Sequence, residues 1–222
     1  IYEVVLGNGE VLKTDYLIFG LGGRPNTQML TSKGADHLPN GALLVNEKME
    51  TSLPDIYAAG DCVSIKNLIT GKHDYFPMGT HSNKGGRTAG ANAVGGNESF
   101  RGAYGTAIVK VFDYTLARTG MNPVTLEKAG IPYDSTLIVA GCSAGFYPGS
   151  KNMIIEIYYH KETEQLLGAE AFGEKGIDKR IDVYSTAIYA KLSVEDLPNL
   201  DLAYAPMYSP AKDAVIVSGF VA

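Results

Sequence analysis

The residues that can do chemistry lie in a few short runs. Gly60 and Asp61 close the run Thr51-Ser52-Leu53-Pro54-Asp55-Ile56-Tyr57-Ala58-Ala59. The run reads as a turn, a buried strand over residues 56–59, and a Gly-Asp pair at the strand's carboxyl end. Ligands of open α/β sheets bind outside the carboxyl ends of strands. Glycine there lets backbone approach a ligand, and aspartate accepts hydrogen bonds from sugar or ribitol hydroxyls. A plain strand followed by a capped loop accounts for the local pattern equally well.

Lys212 is a second candidate. Ser209-Pro210 reads as an N-cap and first helical residue, which puts Lys212 in the first turn of a helix. A cation there costs about 0.3–1 kcal/mol against the helix dipole, and an anionic ligand such as a phosphate would offset it. The competing reading is a solvated lysine partly balanced by Asp213. By themselves Tyr147, Tyr204 and Tyr208 read as interface aromatics, and His81 as a capping or packing histidine. Cys62 follows Gly-Asp with no base or second thiol nearby and reads as structural. Cys142, between Gly141 and Ser143, has no neighbour that marks it as reactive. His37, His73 and His160 form no ligand pattern, so no metal site is expected. Asp178-Lys179-Arg180 and Asp182 read as a charged helix face, with an interfacial Arg180 as the alternative.

The elements that must position these residues differ along the chain. Asn8-Gly9 between two apolar runs predicts a hairpin. Residues 16–19 and 43–45 suit short strands, the first buried on both faces and stopped by glycines. No helical period of useful length precedes residue 79. A helix over residues 80–94 follows, rich in Gly85, Gly86, Ala89, Gly90 and Ala93, and ended by Gly95-Gly96. Each interior glycine costs about 1 kcal/mol against alanine, so this backbone is expected to lie close to a neighbour or ligand. Residues 97–104 read as a linker. Beyond it, strands are expected over 107–112, 137–140, 153–159 and 168–172. A short helix is capped by Asn122-Pro123 and closed by Gly130, an amphipathic helix covers 177–191, and Ser193 with Asp196 caps a further turn. Strands and helices without βαβ alternation indicate an α+β fold.

Composition excludes several classes. Of 222 residues, 45% are hydrophobic, and 24 acidic against 19 basic residues leave a net charge of −5. That balance, without a Lys/Arg run, gives no support for nucleic-acid binding. No apolar run reaches membrane-spanning length. Two distant cysteines are not a disulfide framework and fit a reducing, cytoplasmic setting. The sequence opens on Ile1, inside structure, which suggests a piece of a longer or processed protein.

The motifs together resemble the pyridine nucleotide–disulfide oxidoreductases. TSLPDIYAAGDC is similar to their second FAD-binding signature, and Gly22-Gly23-Arg24-Pro25-Asn26-Thr27 to the segment before it. Pro77-Met78-Gly79-Thr80-His81 with Asn83-Lys84 resembles the stretch that brings a helix N-terminus, with its free N–H groups, to the flavin. The tail narrows the branch. Gly176 to Asp182, Leu200 to Pro206 and Tyr208 to Asp213 look like the coenzyme A–disulfide reductase and NADH oxidase branch.

This resemblance implies cofactor contacts at Gly60, Asp61, Met78, Gly79, Thr80 and Tyr204. It implies substrate contacts at His81, Lys212, Tyr147 and Tyr208, made in part by a tail that reaches the partner subunit of a homodimer. It divides the chain into a remnant of the FAD/NAD(P)-binding region, 1–100, and an antiparallel-sheet dimerisation domain, 101–222. No Gly-x-Gly-x-x-Gly follows a strand, because Gly20, Gly22 and Gly23 run into Arg24-Pro25. The nucleotide loops and the redox cysteine are therefore expected elsewhere, with no catalytic residue here and no turnover by the chain alone. The implied activity is FAD-dependent, NAD(P)H-driven reduction of coenzyme A disulfide or a related disulfide. An NADH oxidase or peroxidase, a sulfur reductase and a non-catalytic dimerisation module are the alternatives.

Overall fold

The computed structural model describes residues 2–222. It is an α+β structure built on three sheets. Strands β1 (Glu3–Val5) and β2 (Val11–Lys13) form the hairpin expected at Asn8-Gly9, with Gly9 at a φ of 86°. One helical turn, α1 (Gln28–Thr31), escaped the sequence reading, being too short to show a period. Strands β3 (Leu43–Leu44), β4 (Val63–Lys66) and β5 (His73–Asp74) make a small mixed sheet, β3 parallel and β5 antiparallel to β4. Helix α2 spans Gly79–Ala93. Leu43, Val45, Met49, Val63, Ile65 and Ala103 form the core of this half.

The second half carries a five-stranded antiparallel sheet. Its strands are β6 (Ala107–Val111), β7 (Tyr114–Gly120), β8 (Tyr133–Gly141), β9 (Asn152–His160) and β10 (Leu166–Gly173), in the order β6-β7-β10-β9-β8. Helix α3 (Pro123–Ala129) joins β7 to β8. Asn122 caps it, accepting from the Thr125 N–H at 3.1 Å, and Gly130 closes it at a φ of 69°. Alternation along β9 turns Met153, Ile155 and Ile157 to one face of the sheet. There they meet Ile177, Ile181, Tyr184 and Ile188 of α4 (Ile177–Tyr189), spaced to share one helix face. A 3₁₀ turn, Val194–Asn199, and α5 (Ala214–Val221) complete that layer. The opposite face of the sheet leaves Val109, Leu116, Leu137, Val139, Ile154 and Phe172 exposed. That is a contiguous apolar surface of the kind that marks a protein–protein contact.

Several expectations fail for physical reasons. Residues 16–19 form no strand: Ile18 is 93% exposed and no described segment pairs with them. An apolar run becomes a buried strand only when other strands flank it. Ile56–Ala59 reduces to a single bridge between Tyr57 and Glu50, and Thr51 instead ties the turn back to the Ile56 carbonyl. Gly60 and Asp61 therefore occupy the turn that enters β4 rather than the end of a strand. Residues 97–104 are no loose linker. The Asn92 side chain donates to the Glu98 carbonyl, the Phe100 N–H to the Glu47 carbonyl, and Ala103 is buried. Of the glycines in α2, Gly85 packs against Ala59 and Met49, whereas Gly86 and Gly90 face open space.

Candidate functional site

Two groups of the expected residues assemble. The first surrounds Asp61. The Ser82 hydroxyl lies 3.0 Å from an Asp61 carboxylate oxygen and 3.2 Å from the Met78 carbonyl, and donates its one proton to either. The Tyr75 hydroxyl donates to the Asp61 carbonyl at 2.9 Å. A single serine thus ties the Gly60-Asp61 turn to the start of α2, where Met78, Gly79 and Thr80 stand. No side chain caps that helix, so its first N–H groups are left for another acceptor. Gly60, at a φ of 92°, and Gly79 both face space where even a Cβ would touch nothing. Asp61, Gly79 and Thr80 are exposed. An exposed carboxylate beside an uncapped helix start offers hydroxyl recognition and anion stabilisation on one edge. Ser82 escaped the sequence reading. Its only signal was its position one turn into the helix.

The second group lies on the α4 side. Tyr147 and Tyr208 line one cleft of about 300 Å³ together with Cys142, Lys175, Lys179 and Arg180. Arg180 is 1% exposed, so the charged-face reading fails for it. Its guanidinium grips Asp213 with two hydrogen bonds, Nε to Oδ1 at 3.2 Å and NH2 to Oδ2 at 2.8 Å. Asp213, itself 2% exposed, is the true N-cap of α5 and accepts from the Val215 N–H at 3.1 Å. The expected helix start at Ser209-Pro210 is therefore four residues too early. Lys212 precedes the cap instead of entering the first turn, so the dipole argument does not apply to it. Asp213 is engaged by Arg180 and Lys179, and Lys212 instead lies 5.9 Å over the Phe220 ring.

The remaining residues are dispersed. Tyr204 is 52% exposed and Lys212 is exposed on the tail. His81 is buried between Phe76 and Phe100, ring centroids 5.7 and 6.5 Å away. Burial pushes its pKa below the ordinary value, against a bond to the Phe76 carbonyl and with help from Lys84. With Thr80 it forms part of the wall of a larger cleft, about 530 Å³, that runs along α4 past Asp178, Asp182 and Tyr189. The Cys62 thiol donates to the Ala59 carbonyl, and burial raises its pKa, which suits a structural thiol. Cys142 is buried, its sulfur accepting from the Lys151 N–H. Among the described residues no group of three or more His, Cys, Asp or Glu could hold a metal. None of their helices is long and apolar enough to cross a membrane.

Comparison with known proteins decides the family. Residues 1–89 match the model described as pyridine nucleotide-disulphide oxidoreductase, and residues 106–215 that family's dimerisation domain. The chain belongs to the pyridine nucleotide-disulphide oxidoreductases. It is 35% identical to the coenzyme A disulfide reductase of Staphylococcus epidermidis over all of this chain and 50% of that one. It is 35% identical to the NAD(P)H sulfur oxidoreductase (CoA-dependent) of Pyrococcus furiosus over 97% of this chain and 48% of that one. The structure of an NAD-dependent persulfide reductase from A. fulgidus superposes with a TM-score of 0.93 at 39% identity, over 99% of this chain and 41% of that one. The chain thus spans about half the length of the curated oxidoreductases it matches.

Proposed function

We propose that this chain supplies the flavin-facing edge and the dimer interface of an FAD-dependent, NAD(P)H-driven oxidoreductase whose substrate is coenzyme A disulfide or a related disulfide. The observation that carries the reading is Asp61 tied by Ser82 to the uncapped start of α2. FAD, when bound, supplies the electron transfer from nicotinamide to disulfide. Asp61 and Gly60 would receive its hydroxyl-bearing chain, and Met78, Gly79 and Thr80 would present N–H groups to its electron-rich edge. Tyr204, on the tail that reaches toward the partner subunit in this reading, would add a contact to that subunit's flavin. The dinucleotide phosphates fall to residues outside this sequence, which has no Gly-x-Gly-x-x-Gly.

The substrate is held by Tyr147 and Tyr208, which share a cleft, with Lys212 and His81. His81 is buried and neutral, so it offers hydrogen bonding or packing rather than charge. The exposed apolar sheet face supports pairing with a second copy through the C-terminal domain. Three core clusters, one before residue 104 and two beyond it, support a division near residue 100, although Ala103 packs with the first and Ile69 with the other two. A cytoplasmic setting belongs to the same reading. The A. fulgidus and P. furiosus relatives favour one variant of it, a persulfide or sulfur substrate at the same site.

The test uses the full-length enzyme that contains this chain. Asp61→Ala should lower bound FAD per subunit. Lys212→Ala should raise the KM for coenzyme A disulfide several-fold with FAD content unchanged. Full FAD in Asp61→Ala rejects the flavin edge, and an unaltered KM in Lys212→Ala rejects the coenzyme A assignment.

A further inference from the structure

The best-buried charged group in the second half has no part in the reading above, yet it touches every segment that carries a substrate-facing tyrosine. Besides Asp213, Arg180 donates to the Cys142 carbonyl at 3.1 Å, where the turn leading to Tyr147 begins. It donates to the Gly176 carbonyl at 3.1 Å, at the start of α4. Lys179, its neighbour, donates to the Ala203 carbonyl at 3.1 Å, immediately before Tyr204, and lies 3.6 Å from the same Asp213 carboxylate. The Ala144 N–H bonds the Pro206 carbonyl at 2.9 Å, so turn and tail are also stitched to each other.

We infer that Lys179, Arg180 and Asp213 form a positioning device that sets the substrate-facing Tyr147 and Tyr208, and the tail backbone that carries Tyr204 beside them, in one geometry. This rests on the reading of the tail as substrate-facing.

The physical case has three parts. A planar guanidinium fixes direction as well as distance, because two of its donors must meet one carboxylate. A buried ion pair is weak evidence for stability, since an apolar replacement of the same volume is often as stable. Its value here is geometric, because the segments it joins are otherwise irregular. The turn over residues 143–149 and the tail over residues 200–213 hold neither strand nor helix. Each tyrosine leans outward, with Tyr204 at 52% and Tyr208 at 68% exposure, so their own packing does not fix them. The network works from beneath, through the backbone that carries them.

Two variants of the full-length enzyme test this. Arg180→Lys keeps the charge and removes the fork. Lys179→Met keeps the stem and removes the bond to Ala203, and because Lys179 is partly exposed this variant carries the test if Arg180→Lys fails to fold. The first readout is amide hydrogen exchange at Ala144, Tyr208 and Ser209 against amides of β9 and β10. The expected result is exchange faster by tenfold or more at the tail and turn alone. The second readout is the KM for coenzyme A disulfide, expected to rise five- to tenfold with FAD content and the rate of flavin reduction by NAD(P)H unchanged. Exchange that rises uniformly through the sheet means a merely structural role and overturns the inference, as does unchanged tail exchange in a folded variant. Faster tail exchange with an unaltered KM overturns it through the tail's substrate role. Failure of the flavin assignment would appear separately, as full FAD content in Asp61→Ala.

Discussion

The contact between α4 and α5 allows an asymmetric prediction. Tyr184 and Ser218 are both fully buried, and the Tyr184 hydroxyl lies 2.9 Å from the Ser218 hydroxyl oxygen. Ser218 spends its own proton on the Val215 carbonyl at 2.7 Å. Tyr184 is therefore the donor of the shared bond, and burial pushes its pKa far up, so it stays protonated. Tyr184→Phe removes one hydrogen bond and leaves Ser218 still bonded to Val215. The cost is that of one net bond, about 0.5–1.5 kcal/mol. Ser218→Ala leaves a tyrosine hydroxyl buried with no acceptor, at about 1–3 kcal/mol. The double variant leaves nothing polar unpaired, so it should cost less than the sum of the two. Urea unfolding of the chain and the three variants, followed by far-UV circular dichroism, gives each difference from the midpoint and slope. Tyr184→Phe costing as much as Ser218→Ala, or strict additivity in the double variant, would refute the donor assignment.

Two further expectations concern local elements. His81 has a folded pKa below its ordinary 6.5 because burial disfavours the charged form. As pH falls through about 6.5 the unfolded chain takes up the proton first, so this contribution to stability is lost on the acid side and levels off below the folded pKa. The thermal midpoint should drop between pH 7.5 and 5.5, and His81→Gln should drop less; parallel pH profiles for the two proteins would contradict this. At α3, Asn122→Ala removes the cap and should cost about 1 kcal/mol, whereas Leu126→Ala, emptying a fully buried site, should cost about 2–5 kcal/mol. Equal losses in urea unfolding would place the helix's stability in its cap rather than its packing.

Local chemistry was legible wherever it is self-contained. Asn8-Gly9, the Asn122–Gly130 frame and the spacing of Ile177, Ile181, Tyr184 and Ile188 act through neighbours in sequence, and each element formed where its pattern placed it. The family, too, was legible, because its motifs run along the chain in order. What failed depends on distant partners. Residues 16–19 carry a strand's composition, but among the described residues nothing flanks them. Ser209-Pro210 has the chemistry of a cap, but the helix starts at Asp213, whose carboxylate is held by an arginine 33 residues away. Arg180 looked like a surface charge in a row of charges. Nothing in its neighbours announces that it will be among the largest fully buried side chains of the described residues.

By itself, then, the sequence determined the α+β class, the short-range caps and turns, and the membership that its ordered motifs declare. Only the tertiary structure decided that Ser82 links Asp61 to α2, that Tyr147 and Tyr208 share a cleft, and that Arg180 and Asp213 meet beneath them. The reason is range. A cap or a hairpin is specified by residues within one turn of each other, whereas a buried ion pair needs two charges that only the folded sheet and helices bring within hydrogen-bond distance.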